Sequence, residues 1–286
     1  MSLQDNASMT AFANACSTLW TNWANPPLAW PGGDRRSKRR NRIDQTIITN
    51  VAAGLMPKPA VVFEDSGTSN GSFSWTPWRL RLRRTLTANS ALAYAEFVKF
   101  CRTMYHELRH AEQFYRVAQG LLAGSLQYPD KSESEVAQEL NALAGGVGAV
   151  GGGGGGGGVG ALVARFNTVS TGGQLTLTAQ LVSQWLSIPL NVAQHAYNNR
   201  GQFAGYIGGA KPDWFRRKTI KKEVEEWMRA TYKGTLSGLN AWTQSDEGKY
   251  DMYRDQPEEH DAHEIGNKIV AAIDAATGVA SGVPNY

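Results

Sequence analysis

The feature that most constrains this chain is a long stretch of helical pattern that begins near Asn89 or Ser90. Either side chain can cap a helix, and neither proline nor glycine interrupts the run before Gly120. Apolar residues recur at spacings of three and four and form one stripe over about eight turns. They are Leu92, Phe97, Cys101, Met104, Leu108 and Tyr115. The pattern predicts one long helix with one buried face.

The pattern H-E-x-x-H occurs inside this predicted helix, as His106, Glu107 and His110. Residues four apart lie above one another on a helix face, so both imidazoles can reach one cation about 2 Å from each nitrogen. Glu107 follows the first histidine and can act as general base on the water that the cation activates. The motif therefore predicts a zinc site with His106 and His110 as ligands and Glu107 as catalytic residue.

A zinc site needs a third protein ligand, and a later stretch offers several. A second helix is predicted at about residues 258–276, with Glu258, Glu259 and His263 in its first turns. Acids are also favoured there without any metal, because Pro257 suits the first helical position and the helix dipole attracts negative charge. The residues alone leave Glu258, Glu259 and His263 open as the third ligand.

The two motifs together resemble the gluzincin-type zinc metallopeptidases. The resemblance lies in H-E-L-R-H continuing into A-E-Q, and in a later helix that opens P-E-E-H-D-A. It implies a zincin-like fold and a Zn2+ site in which Glu259 is the third ligand beside His106 and His110. It also implies that Glu107 is the base and that His263 is an electrophile for the oxyanion.

The resemblance implies a hydrolase that cleaves protein or peptide substrates. Donors to the tetrahedral oxyanion would come from His263 or from Tyr250, Tyr253 and Arg254. Small zincins also occur as toxin or cargo domains of bacterial secretion and contractile injection systems, so the resemblance extends to a delivered effector. Glu259 follows His110 by 149 positions, which is further than in compact members and implies a large insertion.

Strand-like patterns precede the long helix. Residues 60–65 read AVVFED, and residues 73–87 read FSWTPWRLRLRRTLT, in which arginine and leucine alternate with a period of two. Pro77 favours an edge position or a bulge. We expect an antiparallel hairpin here, two further helices at 177–199 and 213–232, with a kink at Pro189, and an α+β fold dominated by helix.

The charge of the chain is concentrated in one basic tract. Residues 34–42 hold six basic groups and one acid, and without them 23 basic groups face 24 acidic ones. The arginines of Arg35–Arg42 are dense enough to bind phosphates of nucleic acid or an anionic surface, and a solvated, flexible arm is the other interpretation. No nucleic-acid-binding motif accompanies the tract, which disfavours sequence-specific recognition.

The glycine content is equally local, since twelve of residues 145–160 are glycine. Residues 140–164 carry no charge, but the run of eight glycines adds no hydrophobic transfer energy, so we do not predict a transmembrane segment. A flexible linker is the leading interpretation, and a glycine zipper is the alternative.

The N-terminal residues and the cysteines predict a cytoplasmic place of synthesis. The first twenty residues lack a basic segment followed by an apolar run, so a Sec signal peptide is not expected, and export would use a route without a cleaved signal. Two cysteines, Cys16 and Cys101, are too few for a disulfide framework.

We expect two regions, a Trp/Pro-rich and basic extension at 1–56 and a zincin-like domain at 57–286 with a glycine-rich insertion at about 140–175. A zinc metallopeptidase is the first functional hypothesis. The alternatives are a non-catalytic structural or interaction protein with an inert or structural metal site, and a binder of nucleic acid or membrane surfaces through the basic tract.

Overall fold

The computed structural model describes residues 2–24, 35–65, 70–88, 92–126, 172–209, 219–232 and 256–284. The described helices are α1 (Asn6–Ala24), α2 (Arg35–Arg42), α3 (Thr49–Ala52), α4 (Arg84–Ala88), α5 (Tyr94–Leu122), α6 (Gly172–Leu186), α7 (Leu190–Asn198), α8 (Gln202–Ile207), α9 (Ile220–Tyr232) and α10 (Pro257–Thr277). The strands are β1 (Ala60–Glu64), β2 (Gly71–Ser74) and β3 (Arg79–Arg83). The prediction of a helix-dominated α+β fold is confirmed.

The chain divides into two compact units. The first comprises Met1–Ser74, Trp78–Glu112 and Glu259–Tyr286, and the second comprises Trp75–Pro77 and Gln113–Glu258. Helix α5 therefore contributes residues to both units. The first unit is assembled from stretches of sequence that precede and follow the second.

The three strands form a mixed sheet in the order β1-β3-β2. Strand β3 pairs antiparallel with β2 and parallel with β1, with Ala60 opposite Arg79 in the parallel register. The predicted antiparallel sheet is therefore wrong for β1. The sequence pattern located β1 and β3 but did not separate β2 from β3. Strand β2 lies between β1 and β3 in the chain and at the far edge of the sheet, an order that local patterns do not encode.

The alternation within β3 is confirmed. Leu80 and Leu82 are 0% and 1% exposed, whereas the three arginines of the strand are half-buried. The predicted edge position is wrong, because Pro77 lies in the turn before β3 and β3 is the central strand. Proline thus removes no hydrogen bond from the ladder.

Aromatic side chains of α1 pack against the first half of α5. The Phe12 ring lies 4.6 Å from that of Tyr105, and the Trp20 and Trp23 rings lie 5.1 and 5.6 Å from that of Phe97. Trp20 and Trp23 thus help to form the core of the first unit. They hold in place the helix that carries the H-E-x-x-H motif.

The basic tract forms helix α2, which continues through a π-helical segment (Ile43–Ile48) into α3. Arg39 is 2% exposed, and its guanidinium lies 4.4 Å from the centre of the Trp23 ring and donates to the Thr87 carbonyl at 3.2 Å. The interpretation as a flexible arm is therefore wrong. Arg36 and Arg42 are exposed, so only part of the tract faces solvent.

The predicted helix at 177–199 is two helices, α6 and α7. Ser187 adopts a positive φ of 52°, which ends α6, and Pro189 is the N-cap residue of α7. A residue in this conformation is a common helix end, and proline often follows it because it cannot continue the helix. The expected kink is a complete break.

The other predicted helices are found with shifted ends. Helix α10 matches the predicted 258–276, whereas α9 begins at Ile220, and 210–218 lie outside the described residues. The cap region 89–91 and the charge-free segment 140–164 also lie outside them. Within the described ranges, no helix combines the length and the apolar character needed to cross a bilayer.

Candidate metal centre

Helix α5 presents two imidazoles on one face. His106 and His110 are four residues apart, and their Nε2 atoms lie 3.1 Å from each other. Their side chains are 13% and 12% exposed. The continuous helix explains this arrangement, because the i, i+4 spacing stacks the two rings without any contribution from a loop.

Glu259, in the first turn of α10, completes the group. Its Oε2 lies 3.3 Å from Nε2 of His106, and its Oε1 lies 3.2 Å from Nε2 of His110. Two ligand atoms bound to zinc at tetrahedral angles would be about 3.4 Å apart. The chemistry and spacing of these three groups therefore fit a single zinc ion.

The surroundings favour the ionised form of Glu259. Its side chain is 3% exposed, and this burial alone would raise the pKa of the carboxyl group. The charge of His110 and hydrogen bonds from both imidazoles outweigh burial and hold the pKa of Glu259 well below its usual range. The carboxylate is therefore held ionised beside the two imidazoles. Because metal-ligating imidazoles must be deprotonated, a cation bound there would replace the imidazole charge that now accompanies Glu259.

Glu107 is held by the sheet. Its Oε2 accepts a hydrogen bond of 2.7 Å from the backbone N–H of Phe73 in β2. An ionised carboxylate has about four acceptor sites, so this contact orients Glu107 and leaves capacity for a water proton. The sequence did not indicate this contact, because the donor is a backbone group 34 residues earlier in the chain.

His263 lies beside His106 but is not in the candidate ligand group. Its ring centre is 4.6 Å from that of His106. Burial, and then the charge of His106, lower the pKa of His263 to about 3. The ring is therefore neutral near neutral pH, and a neutral imidazole carries one N–H that can donate to an oxyanion.

Glu258 is not brought into the group. Within the described ranges, the metal-ligating cluster contains Glu259 and not Glu258. The backbone carbonyl of Glu258 accepts a hydrogen bond of 2.9 Å from the side-chain amide of Gln113. The other oxyanion-donor candidates, Tyr250, Tyr253 and Arg254, lie outside the described residues.

A buried charged network accompanies the site, and sequence reasoning missed most of it. Arg109 and Glu112 are both 0% exposed. Arg109 forms ion pairs with Glu112 and, at 2.7 Å, with Asp261 of α10. The i, i+3 spacing of Arg109 and Glu112 was the one local signal for this network.

Comparisons of the chain with models of protein families, with curated proteins and with solved structures found no match.

Proposed function

We propose that this protein is a zinc-dependent metallopeptidase with a zincin-like fold. The convergence of His106, His110 and Glu259 supports it most. Glu259 follows His110 by 149 positions and lies on a different helix, yet the ligand atoms of the three side chains lie 3.1 to 3.3 Å apart. A bound zinc ion lowers the pKa of water toward about 7 and polarises the carbonyl of a substrate.

The residues of the chain have separate roles in this proposal. Glu107, oriented by the N–H of Phe73, takes the proton from the attacking water and passes it toward the leaving amine. His263, neutral beside His106, donates its N–H to the oxyanion. Protein or peptide substrates follow from the resemblance to the gluzincin-type enzymes.

The proposal is tested by metal analysis and by hydrolysis of a mixed peptide library, read by mass spectrometry. We expect about one zinc per chain in the wild type and none in His106→Ala. Glu107→Gln should keep the zinc and lower kcat/KM by about 10²–10⁴-fold. Glu96→Gln on the same helix is the matched control, because Glu96 is exposed and pairs only with Lys99 among the contacts described.

Two results would reject the proposal in different ways. Absence of stoichiometric zinc removes the metal site. Zinc binding with no hydrolysis, or with the same hydrolysis in wild type and Glu107→Gln, instead favours a structural or interaction protein with an inert metal.

A further inference from the structure

The strongest polar feature outside the ligands is the network around Arg109. This guanidinium donates from Nε to Asp261 Oδ2 at 2.7 Å and from Nη2 to Asp261 Oδ1 at 3.4 Å. Its Nη1 donates to Glu112 Oε2 at 2.6 Å. Arg109 precedes the ligand His110, and Asp261 follows the ligand Glu259 by two residues. The fork therefore ties the two ligand-bearing helices beside the site.

The first residues of the chain complete this network. The backbone N–H of Leu3 donates to Glu112 Oε2 at 3.0 Å, and the amide of Gln4 donates to Asp261 Oδ1 at 3.2 Å. The Tyr105 hydroxyl of α5 donates to the Leu3 carbonyl at 2.8 Å. Leu3 and Gln4 are 0% and 4% exposed. The segment 2–4 thus supplies neutral donors to two buried carboxylates that share one guanidinium.

Such a network fixes the position of α10 relative to α5 more than it raises the free energy of unfolding. A buried ion pair gains little over well-packed apolar side chains, because desolvation of the charges offsets their attraction. The planar guanidinium can donate to both oxygens of one carboxylate in only a narrow range of geometries. A shift of α10 by one residue would rotate Glu259 by about 100° away from the imidazoles. A fork closed two residues from Glu259 opposes that shift.

We propose that Arg109 is a positioning residue of the metal centre. Its fork to Asp261 fixes the register of α10 so that Glu259 faces His106 and His110, and residues 2–4 hold the fork in place. The functional meaning of this inference rests on the proposed zinc site, but the positioning of α10 is a property of the chain itself.

The test uses the full-length chain with Asp261→Asn and, as a second variant, Arg109→Lys. Asp261→Asn preserves the shape of the side chain and leaves Arg109 paired with Glu112. The buried guanidinium therefore keeps one carboxylate partner, and the charges of that pair cancel. Zinc affinity is measured by competition with a chromophoric chelator, and ligand geometry by the visible spectrum of bound Co2+. Hydrogen exchange of peptides covering 257–266 is measured in the metal-free protein.

Tyr94→Phe is the matched control. The Tyr94 hydroxyl donates to Asp274 Oδ1 at 3.1 Å and so joins the same two helices at their other ends. If the fork is only a structural contact, all three substitutions should lower the free energy of unfolding and leave zinc affinity unchanged. Positioning predicts a loss of affinity of about 10–100-fold, an altered Co2+ spectrum and faster exchange at 257–266 in Asp261→Asn and Arg109→Lys only.

The outcomes separate this inference from the proposed function. Folded network variants with zinc affinity within about threefold of wild type, and with unchanged exchange at 257–266, overturn the positioning role. A wild type that binds neither zinc nor Co2+ rejects the proposed function, and faster exchange confined to the network variants then still supports the positioning of α10.

Discussion

At the scale of single residues, the candidate site depends most on Glu259. The two imidazoles are brought together by the helix that carries both, whereas Glu259 comes from a separate helix. Its two oxygens face different imidazoles, at 3.3 and 3.2 Å, so one carboxylate joins both rings. Replacing it tests the ligand set more sharply than replacing either histidine.

We expect Glu259→Gln to weaken zinc binding by more than about 100-fold, because a neutral amide is a poor ligand. Competition with a chelator measures the affinity. Glu264→Gln on the same helix is the control, since Glu264 is 39% exposed and lies outside the ligand group. Unchanged affinity in Glu259→Gln would show that Glu258 or His263 supplies the third ligand.

The spacing of His106 and His110 could be read from the sequence because helix geometry is local. The choice of Glu259 as candidate third ligand rested on a resemblance, because nothing in the sequence of the first turn of α10 separates it from Glu258. The hydrogen bond from the backbone N–H of Phe73 to Glu107 could not be predicted from the sequence. A backbone N–H carries no signature in the sequence, and its position depends on how the strand packs against the helix.

At the scale of elements, α2 shows how a charged tract becomes part of a core. The side chain of Arg39 is buried, and its guanidinium contacts the Trp23 ring and donates a hydrogen bond to the Thr87 carbonyl. Burial of this kind gives an arginine both packing and polar contacts. Charge density along the sequence does not reveal which arginines of the tract face inward.

We expect Arg39→Ala to lower the free energy of unfolding by about 2–3 kcal/mol, from lost packing, one hydrogen bond and the cation–π contact. Arg36→Ala, at an exposed position of the same helix, should change it by less than about 0.5 kcal/mol. Urea unfolding followed by circular dichroism compares the two. Equal effects would contradict the buried position of Arg39.

Two glycines of the second unit should respond oppositely to alanine. A Cβ at Gly120 of α5 would lie 2.6 Å from Leu126 Cγ and 2.7 Å from Phe203 Cζ, whereas at Gly205 of α8 no atom lies within 4 Å. Gly120→Ala should therefore destabilise by about 1–3 kcal/mol through overpacking. Gly205→Ala should stabilise by up to about 1 kcal/mol, because alanine favours the helix.

Thermal unfolding of both glycine variants in parallel is the measurement. A lower midpoint for Gly120→Ala and an equal or higher one for Gly205→Ala is the expected pair of results. A stabilised Gly120→Ala would contradict the close packing of α5 against Leu126 and Phe203.

Local patterns predicted some of the elements but not their pairing. Apolar spacing predicted α5, α9 and α10, and alternation predicted β3. Helices α1 to α4 and α8 were not predicted. The parallel pairing of β1 with β3 arises from contacts between distant segments, and only the mixed sheet reveals it. The sequence predicted a kink at Pro189 where the structure has a break at Ser187, because proline marks a helix boundary without fixing its geometry.

At the scale of the whole molecule, the first unit is discontinuous in sequence, and the candidate site joins its distant parts. Residues 78–112 supply the imidazoles and residues 259–286 supply the carboxylate. A cation that binds only this assembled form must stabilise it by mass action. The interval of 149 positions between His110 and Glu259 implied a large insertion, but the bounds of the second unit depend on contacts that no local pattern encodes.

We expect zinc at about 100 times its Kd to add about 2.7 kcal/mol to the free energy of unfolding. The thermal midpoint should rise by about 5 °C and return to its starting value with excess chelator. His106→Ala should melt at the same temperature with and without zinc. A zinc-dependent shift that persists in His106→Ala would place the binding elsewhere.

The position of α10 in the chain also sets the order in which the site can form during synthesis. Glu259 is translated 149 positions after His110, after all of the sequence assigned to the second unit. At about 5–20 residues per second, the ribosome needs about 7–30 s to cover that distance. For that interval the nascent chain holds both imidazoles and Glu107, the proposed general base, but lacks the buried carboxylate. The proposed peptidase is therefore incomplete while it is being made, and translation itself delays the appearance of a competent metal site.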